Sequence, residues 1–187
     1  MFCVESIFCA DYKKDNSTFI AYLMPFSCFE SHLENLKVEH KKAVHFVRAT
    51  RILNIYNQII EQSSDDGEPK GSSGVPVLNV MRGNKLVNCA IVVVRYFGGK
   101  LLGVGGLVRA YTQASLNVIN IANLINYDNL ESFSLEVPLN TINKAKYLAK
   151  KLEINSIKFD FMQNFAIIRI VSTKSKIDEF LHSLKAK

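Results

Sequence analysis

Three carboxylates and one ammonium group stand close together in Asp65-Asp66-Gly67-Glu68-Pro69-Lys70-Gly71-Ser72-Ser73-Gly74. About twenty residues later comes a second dense block, Arg95-Tyr96-Phe97-Gly98-Gly99-Lys100-Leu101-Leu102-Gly103-Val104-Gly105-Gly106-Leu107-Val108-Arg109-Ala110-Tyr111. Two kinds of chemistry fit these side chains. Paired carboxylates can act as general acid and base in a hydrolysis. A glycine-rich strand-to-helix turn offers free N–H groups at the positive end of a helix, which suits an anion. Glycine costs backbone entropy, so its crowding here marks tight turns or a close approach of the backbone to something else. Arg109 adds weight to the anion reading. In the first turn of a helix its charge opposes the macrodipole by about 0.3–1 kcal/mol, which a bound phosphate or the chain's own carboxylates would offset.

The candidate contact surface consists of Asp65, Asp66, Glu68 and Lys70 from the first block. The second block contributes Arg95, Tyr96, Gly98, Gly99, Lys100, Gly105, Gly106 and Arg109. In one reading the carboxylates pair with Arg95 and Arg109 and only shape the fold. In the other, loop and arginines together form a recognition surface for RNA or a protein partner. Both stay open at the level of sequence. Tyr96-Phe97 offers a stacking face for a base, while aromatic residues at a strand end also serve as core.

Several enzyme classes are disfavoured. No GxxxxGK[ST] phosphate loop is present, and Gly103-Val104-Gly105 is followed by Val108 where the dinucleotide fingerprint needs its last glycine. The kinase companion motifs are absent. The acidic pair has no nucleophile or histidine tied to it by spacing. Cys3, Cys9, Cys28 and Cys89 form no CxxC, and His32, His40, His45 and His182 form no HExxH. No metal, cofactor or catalytic residue is therefore expected, and the free cysteines read as small apolar residues of a reducing compartment. The leading expectation is a non-enzymatic binding protein for RNA, the ribosome or a translation factor. The alternatives are a hydrolase using Asp65, Asp66 or Glu68, and a protein-only interaction module.

The elements that position these residues follow from apolar spacing. Ser6–Tyr12 and Thr18–Met24 read as a hairpin turning at residues 13–17. Ser27 and Glu30 fit a capping box, and Phe29, Leu33, Leu36, His40 and Ala43 recur on one helical stripe, with His40 a satisfied core-edge histidine. A strand from His45 to Ile55 runs into a polar loop at residues 62–69. A short helix contains Pro76, Val77, Leu78 and Met81 and ends at Gly83-Asn84. The continuous apolar run within residues 87–96 predicts a strand buried on both faces. A long helix from about Gly105 to Asn123 presents Leu107, Tyr111, Ala114, Val118 and Ile121 to the core.

After residues 126–129 the pattern restarts. A strand at 132–137, a helix at 140–152, strands at 156–162 and 165–171 and a final helix with Ile177, Phe180, Leu181 and Leu184 give βαββα. That is a ferredoxin-like unit without its last strand, the chain ending at Lys187. The expected fold is α+β with helices on one face of a sheet, in two domains, 1–127 and 128–187.

A net charge of +6 and a pI near 9.1 are shared evenly, with a basic excess of three in each domain. Such a balance permits phosphate contacts without demanding them, and nothing in it is specific for DNA. No apolar run approaches the roughly 20 residues that span a bilayer. Residues 1–10 carry Glu5 and no basic residue, unlike a secretory signal. A cytoplasmic protein without membrane contact is expected.

Taken together, Asp65-Asp66-Gly67-Glu68-Pro69 with Gly71 and Gly74-Val75-Pro76 resemble the IMPACT/YigZ family. So do Arg95-Tyr96-Phe97-Gly98-Gly99, Leu102-Gly103-Val104-Gly105-Gly106-Leu107 and Arg109-Ala110-Tyr111, together with Phe19-Ile20-Ala21 and His45. The resemblance covers about residues 15–120, and the tail is similar to the second domain of the bacterial branch. Lys70 and Ser72-Ser73 depart from the Ser and Thr-Ala usual there. The resemblance implies a larger domain similar to the ribosomal protein S5 domain 2-like fold and a ferredoxin-like second domain, a pair resembling domains IV and V of elongation factor G. It also implies translation regulation through a partner protein in eukaryotic members and nucleic-acid or ribosome association in bacterial ones. Some members have been labelled proline dipeptidases, for which this chain shows no metal-ligand set.

Overall fold

The computed structural model describes residues 1–127 and 130–185. Of the expected boundary segment 126–129, Asp128 and Asn129 lie outside the described residues. The architecture is α+β, and the chain divides into two compact units, residues 1–127 and 128–187.

The first unit runs β1 (Phe2–Cys3), β2 (Phe8–Lys14), β3 (Ser17–Pro25), α1 (Phe29–Glu39), β4 (His45–Leu53), β5 (Ile59–Ser64), α2 (Gly74–Gly83), β6 (Cys89–Tyr96), α3 (Gly103–Ile121) and β7 (Ile125–Asn126). Five strands pair antiparallel in the order β2-β3-β6-β4-β5, and β1 pairs with β7. The β2–β3 hairpin closes tighter than residues 13–17 suggested. Lys14 pairs with Ser17, and Asp15 (φ 47°) and Asn16 (φ 63°) form a two-residue turn. Both positions are left-handed, which short Asx side chains tolerate and which matches the twist of the strands.

Central β6 explains the layering. Cys89, Ile91 and Val93 face a core built with α2 and α3, whereas Ala90, Val92 and Val94 face Phe29, Leu33 and Leu36 of α1. A strand apolar at every position needs cover on both sides. The expectation of helices on one face is therefore corrected: they pack on both. The capping box is corrected too. A 3₁₀ turn at Phe26–Cys28 moves the helix start, Cys28 takes the cap position without a side-chain bond, and Ser27 is left out of it. In α3, Ile119 is buried where Ile121 was expected, since Ile121 is 59% exposed. Residues 62–64 of the expected polar loop belong instead to strand β5, because the segment 59–64 pairs along β4 although its own alternation is weak.

The second unit runs β8 (Leu130–Pro138), α4 (Ile142–Lys151), β9 (Ser156–Phe161), β10 (Phe165–Thr173) and α5 (Lys174–Lys185). Its sheet order is β8-β10-β9, all antiparallel, which is the split βαβ arrangement. Ala166, Ile168 and Ile170 of β10 pack with Ala145 and Leu148 of α4 and Ile177 and Phe180 of α5. Among the described residues, no helix is long and apolar enough to cross a membrane.

Candidate functional site

The acidic block folds into a turn whose three carboxylates point in three directions. Glu68 donates its backbone N–H to the Asp65 carbonyl at 3.0 Å. Asp66 and Gly67 between them have φ of 48° and 89°, the left-handed pair of a type I′ turn. Glycine is required at the second position, where a side chain would be strained.

Asp65 turns toward the start of α2. Its carboxylate accepts from the N–H groups of Gly71 (2.7 Å), Ser73 (3.1 Å) and Gly74 (2.8 Å), and from the Ser73 hydroxyl (2.8 Å). It thereby does the work of an N-cap from outside the helix. Burial opposes the charge, but the bonds from Gly71, Gly74 and Ser73 outweigh it and hold Asp65 below the usual carboxylate range. A depressed folded pKa stabilises above the unfolded value of about 3.9 and loses that contribution as pH falls below it. Asp65→Asn is thus expected to be markedly less stable than wild type in urea unfolding at pH 7, with the gap narrowing toward pH 3. A gap equal at both pH values would contradict the assignment.

Asp66 ties the turn to β4. Its carboxylate accepts from the Phe46 N–H at 2.7 Å and from Arg48 at 3.2 Å, and its carbonyl accepts from His45 Nδ1 at 2.7 Å. Glu68 goes inward and is buried. Its Oε1 accepts from Arg95 Nη1 at 2.5 Å and from the Tyr111 hydroxyl at 2.7 Å, and Oε2 lies 3.9 Å from His45 Nε2. Burial first, and the Glu68 hydrogen bond next, push the Tyr111 phenol upward, so it remains a donor. The Arg95 guanidinium lies 5.5 Å from the Phe19 ring centre and 5.7 Å from that of Phe97. Phe19 in turn meets Tyr111 edge-on at 5.1 Å. Strands β3, β4 and β6, helix α3 and the acidic turn are thus joined at one buried charge pair.

The glycine-rich loop lies beyond Arg95. Gly98 donates to Ser17 Oγ at 3.1 Å and passes so close to the hairpin that a Cβ there would lie 2.1 Å from the Asn16 carbonyl carbon. Gly99 and Gly103 take φ of 82° and 66°. Helix α3 then begins without a side-chain cap or an acidic residue in its first turn. Phe97, Leu101 and Val104 are exposed on this loop, as are Lys70 and Lys100. A Cβ on Gly106 would approach that of Leu102 at 2.9 Å, whereas one on Gly105 would meet only the tip of Arg109, at 3.6 Å. Arg109 is exposed and pairs with no carboxylate among the described residues. It borders a cleft of about 310 Å³ with Tyr12, Lys14, Asp15, Leu102 and Gly106.

The structure therefore splits the expected surface. Asp66, Glu68 and Arg95 gather in one network through His45, while Asp65 holds the start of α2; Gly105, Gly106 and Arg109 sit by the hairpin tip; Tyr96 points to the other face of the sheet. There the Tyr96 hydroxyl lies 2.8 Å from His40 Nδ1, and the Tyr22 hydroxyl lies 2.9 Å from His40 Nε2. Sequence reasoning placed Tyr111 on an apolar stripe and overlooked its hydroxyl. It also left Phe19, Tyr12 and Lys14 outside the site. Of these, only Tyr111 carried a signal, a polar tip at the centre of a buried helix face. Among the described residues, no group of three His, Cys, Asp or Glu side chains is placed to hold a metal. Glu68 and Asp65 are not among the residues lining the three clefts at α1, at Cys3–Tyr127 and at Arg109.

Comparison with known proteins agrees on the larger unit. The family model of the Impact N-terminal domain matches residues 15–119. An IMPACT family member of Haemophilus influenzae is 31% identical over 174 residues, covering 91% of this chain and 84% of the relative. The IMPACT family member YigZ of Escherichia coli is 28% identical over 163 residues, covering 87% and 79%. A crystal structure of a hypothetical protein superposes with a TM-score of 0.64 at 26% identity, covering 98% of this chain and 90% of that one.

Proposed function

The chain belongs to the IMPACT family, and we propose that it is a non-enzymatic, cytoplasmic regulator of translation that binds RNA, the ribosome or a translation-related protein. The contact surface is the rim of the glycine-rich loop, with Lys100 and Arg109 as its charged contacts and Lys70 on the neighbouring acidic turn. One observation carries this reading: Asp65, Asp66 and Glu68 are consumed by internal bonds, while Lys100 and Arg109 stay exposed and, among the described residues, unpaired beside the bare start of α3. Free cations next to unsatisfied N–H groups suit phosphate. The buried network below holds the loop in one shape, so the surface is preorganised for capture.

Filter binding with single-stranded RNA at low salt, together with co-sedimentation with ribosomes, tests this. The double variant Lys100→Glu/Arg109→Glu is expected to weaken RNA binding about tenfold or more and to lower the salt slope by about one per lost phosphate contact. Absence of both RNA affinity and ribosome association in the wild type overturns the reading. A protein partner is the second reading, supported by the exposed Phe97, Leu101 and Val104 on the same loop. A pull-down that survives nuclease treatment and is lost on Leu101→Asp would favour it.

A further inference from the structure

The two edges of the five-stranded sheet are built differently. Edge strand β2 carries exposed Asp11, Lys13 and Lys14, and the Asn117 amide donates to the Asp11 carbonyl at 3.1 Å. Charge and cover of this kind protect an edge from pairing with another chain. Edge strand β5, Ile-Ile-Glu-Gln-Ser-Ser, has neither lysine nor proline. Its one charge, Glu61, is turned to the α2 side, where it accepts from Arg51 at 2.8 Å and Arg82 at 2.5 Å. Ile59 and Ile60 are exposed, and among the described residues β5 pairs with β4 alone.

Beside this open edge lies a cleft of about 620 Å³ between α1 and the β4–β5 ladder. Leu33, Glu30 and Glu34 line it from the helix, and Thr50, Gln62 and Ser64 from the strands. An edge strand next to a helix-walled groove is the geometry by which extended peptides are bound through main-chain pairing with alternate side chains in the groove. We propose that the β5 edge and this cleft dock an extended segment of a partner protein, added to the sheet as a further strand.

Charges select the segment. Glu34 is paired with Lys37 at 2.8 Å and Arg48 with Asp66 at 3.2 Å, which leaves Glu30 on the rim with no ion pair among the described residues. The segment therefore carries a basic side chain opposite Glu30, with small or apolar ones in the groove. A second copy of this chain fits less well: two β5 edges in register would offer Gln62 and Ser64 to each other's cleft, short polar side chains that leave it unfilled. RNA is disfavoured by the rim carboxylates and the absence of unpaired cations in the lining. The site is separate from the Lys100–Arg109 rim and does not depend on that reading.

The test selects phage-displayed random decapeptides on the full chain, then measures the enriched peptide by calorimetry and by amide chemical shifts. The largest shifts are expected at Ile59–Ser64. Gln62→Lys, which puts a lysine on the edge, is expected to weaken the peptide about tenfold or more. Glu30→Gln should weaken it about threefold, the scale of an exposed ion pair. Both residues are exposed, so both variants should keep wild-type circular dichroism and wild-type RNA affinity. Failure of the peptide with intact RNA binding overturns this proposal alone. It is likewise overturned by the absence of any enriched peptide, by shifts that map elsewhere, or by a dimer that Gln62→Lys dissolves.

Discussion

Glu68→Ala is expected to destabilise the first unit by about 3–5 kcal/mol, the scale on which removing one partner strands a buried charge. The stranded charge is Arg95, whose side chain is 6% exposed and whose Nε already lacks a hydrogen-bond partner. Tyr111 loses its acceptor at the same time, with its hydroxyl buried beside Phe19. The ring contacts of Phe19 and Phe97 lessen the cost for the guanidinium but accept no N–H in the way a carboxylate does. Tyr111→Phe removes one bond and keeps the ion pair, so it should cost about 1.5–3 kcal/mol. Urea unfolding measures both. A loss below about 1 kcal/mol for Glu68→Ala would show that the pair contributes little beyond what water supplies to an open structure. If the proposed RNA contact exists, Glu68→Ala at low temperature, where it is still folded, should bind RNA more weakly than wild type, because the turn carrying Lys70 loses its anchor.

Gly98→Ala should be the most damaging of the glycine substitutions. The added methyl would lie 2.1 Å from the Asn16 carbonyl carbon and 2.3 Å from the Ser17 nitrogen. Both are backbone atoms of a two-residue turn with little room to yield. A loss of about 3 kcal/mol or more is expected, above the usual range for overpacking because no side chain can rotate away. Gly99→Ala is the natural control. Nothing lies within 4 Å of its Cβ, but its φ is 82°. It should cost about 1–2 kcal/mol from left-handed strain alone. Thermal melting of the two variants separates close approach from backbone conformation. Equal losses would mean that the glycine loop does not press on the hairpin. If Gly98 does seat the loop, the β2–β3 hairpin should show faster amide exchange in Gly98→Ala but not in Gly99→Ala.

Much of the larger unit could be read along the chain. The apolar run of β6 announced burial on both sides. Leu107, Tyr111, Ala114 and Val118 recurred at helical spacing, and Lys13 to Ser17 marked a hairpin. Each rests on a period of two or 3.6 residues, which is local. The strand β5 was hidden because a short polar edge strand has only one buried neighbour and hence almost no period of its own. The true start of α1 was hidden because Ser27 and Glu30 satisfy a capping pattern that the 3₁₀ turn at Phe26–Cys28 pre-empts.

The chain alone determined that carboxylates, glycines and arginines would crowd around one strand-to-helix turn, since residue type and order are all that such crowding requires. Which carboxylate met which cation was decided only in three dimensions. Glu68 finds Arg95 and Tyr111 across separations of 27 and 43 residues, while Arg109 finds no carboxylate among the described residues. Pairing of that kind depends on which face of a strand and which turn of a helix arrive at one point. That is set by packing of the whole sheet between its helices, and no short-range spacing records it.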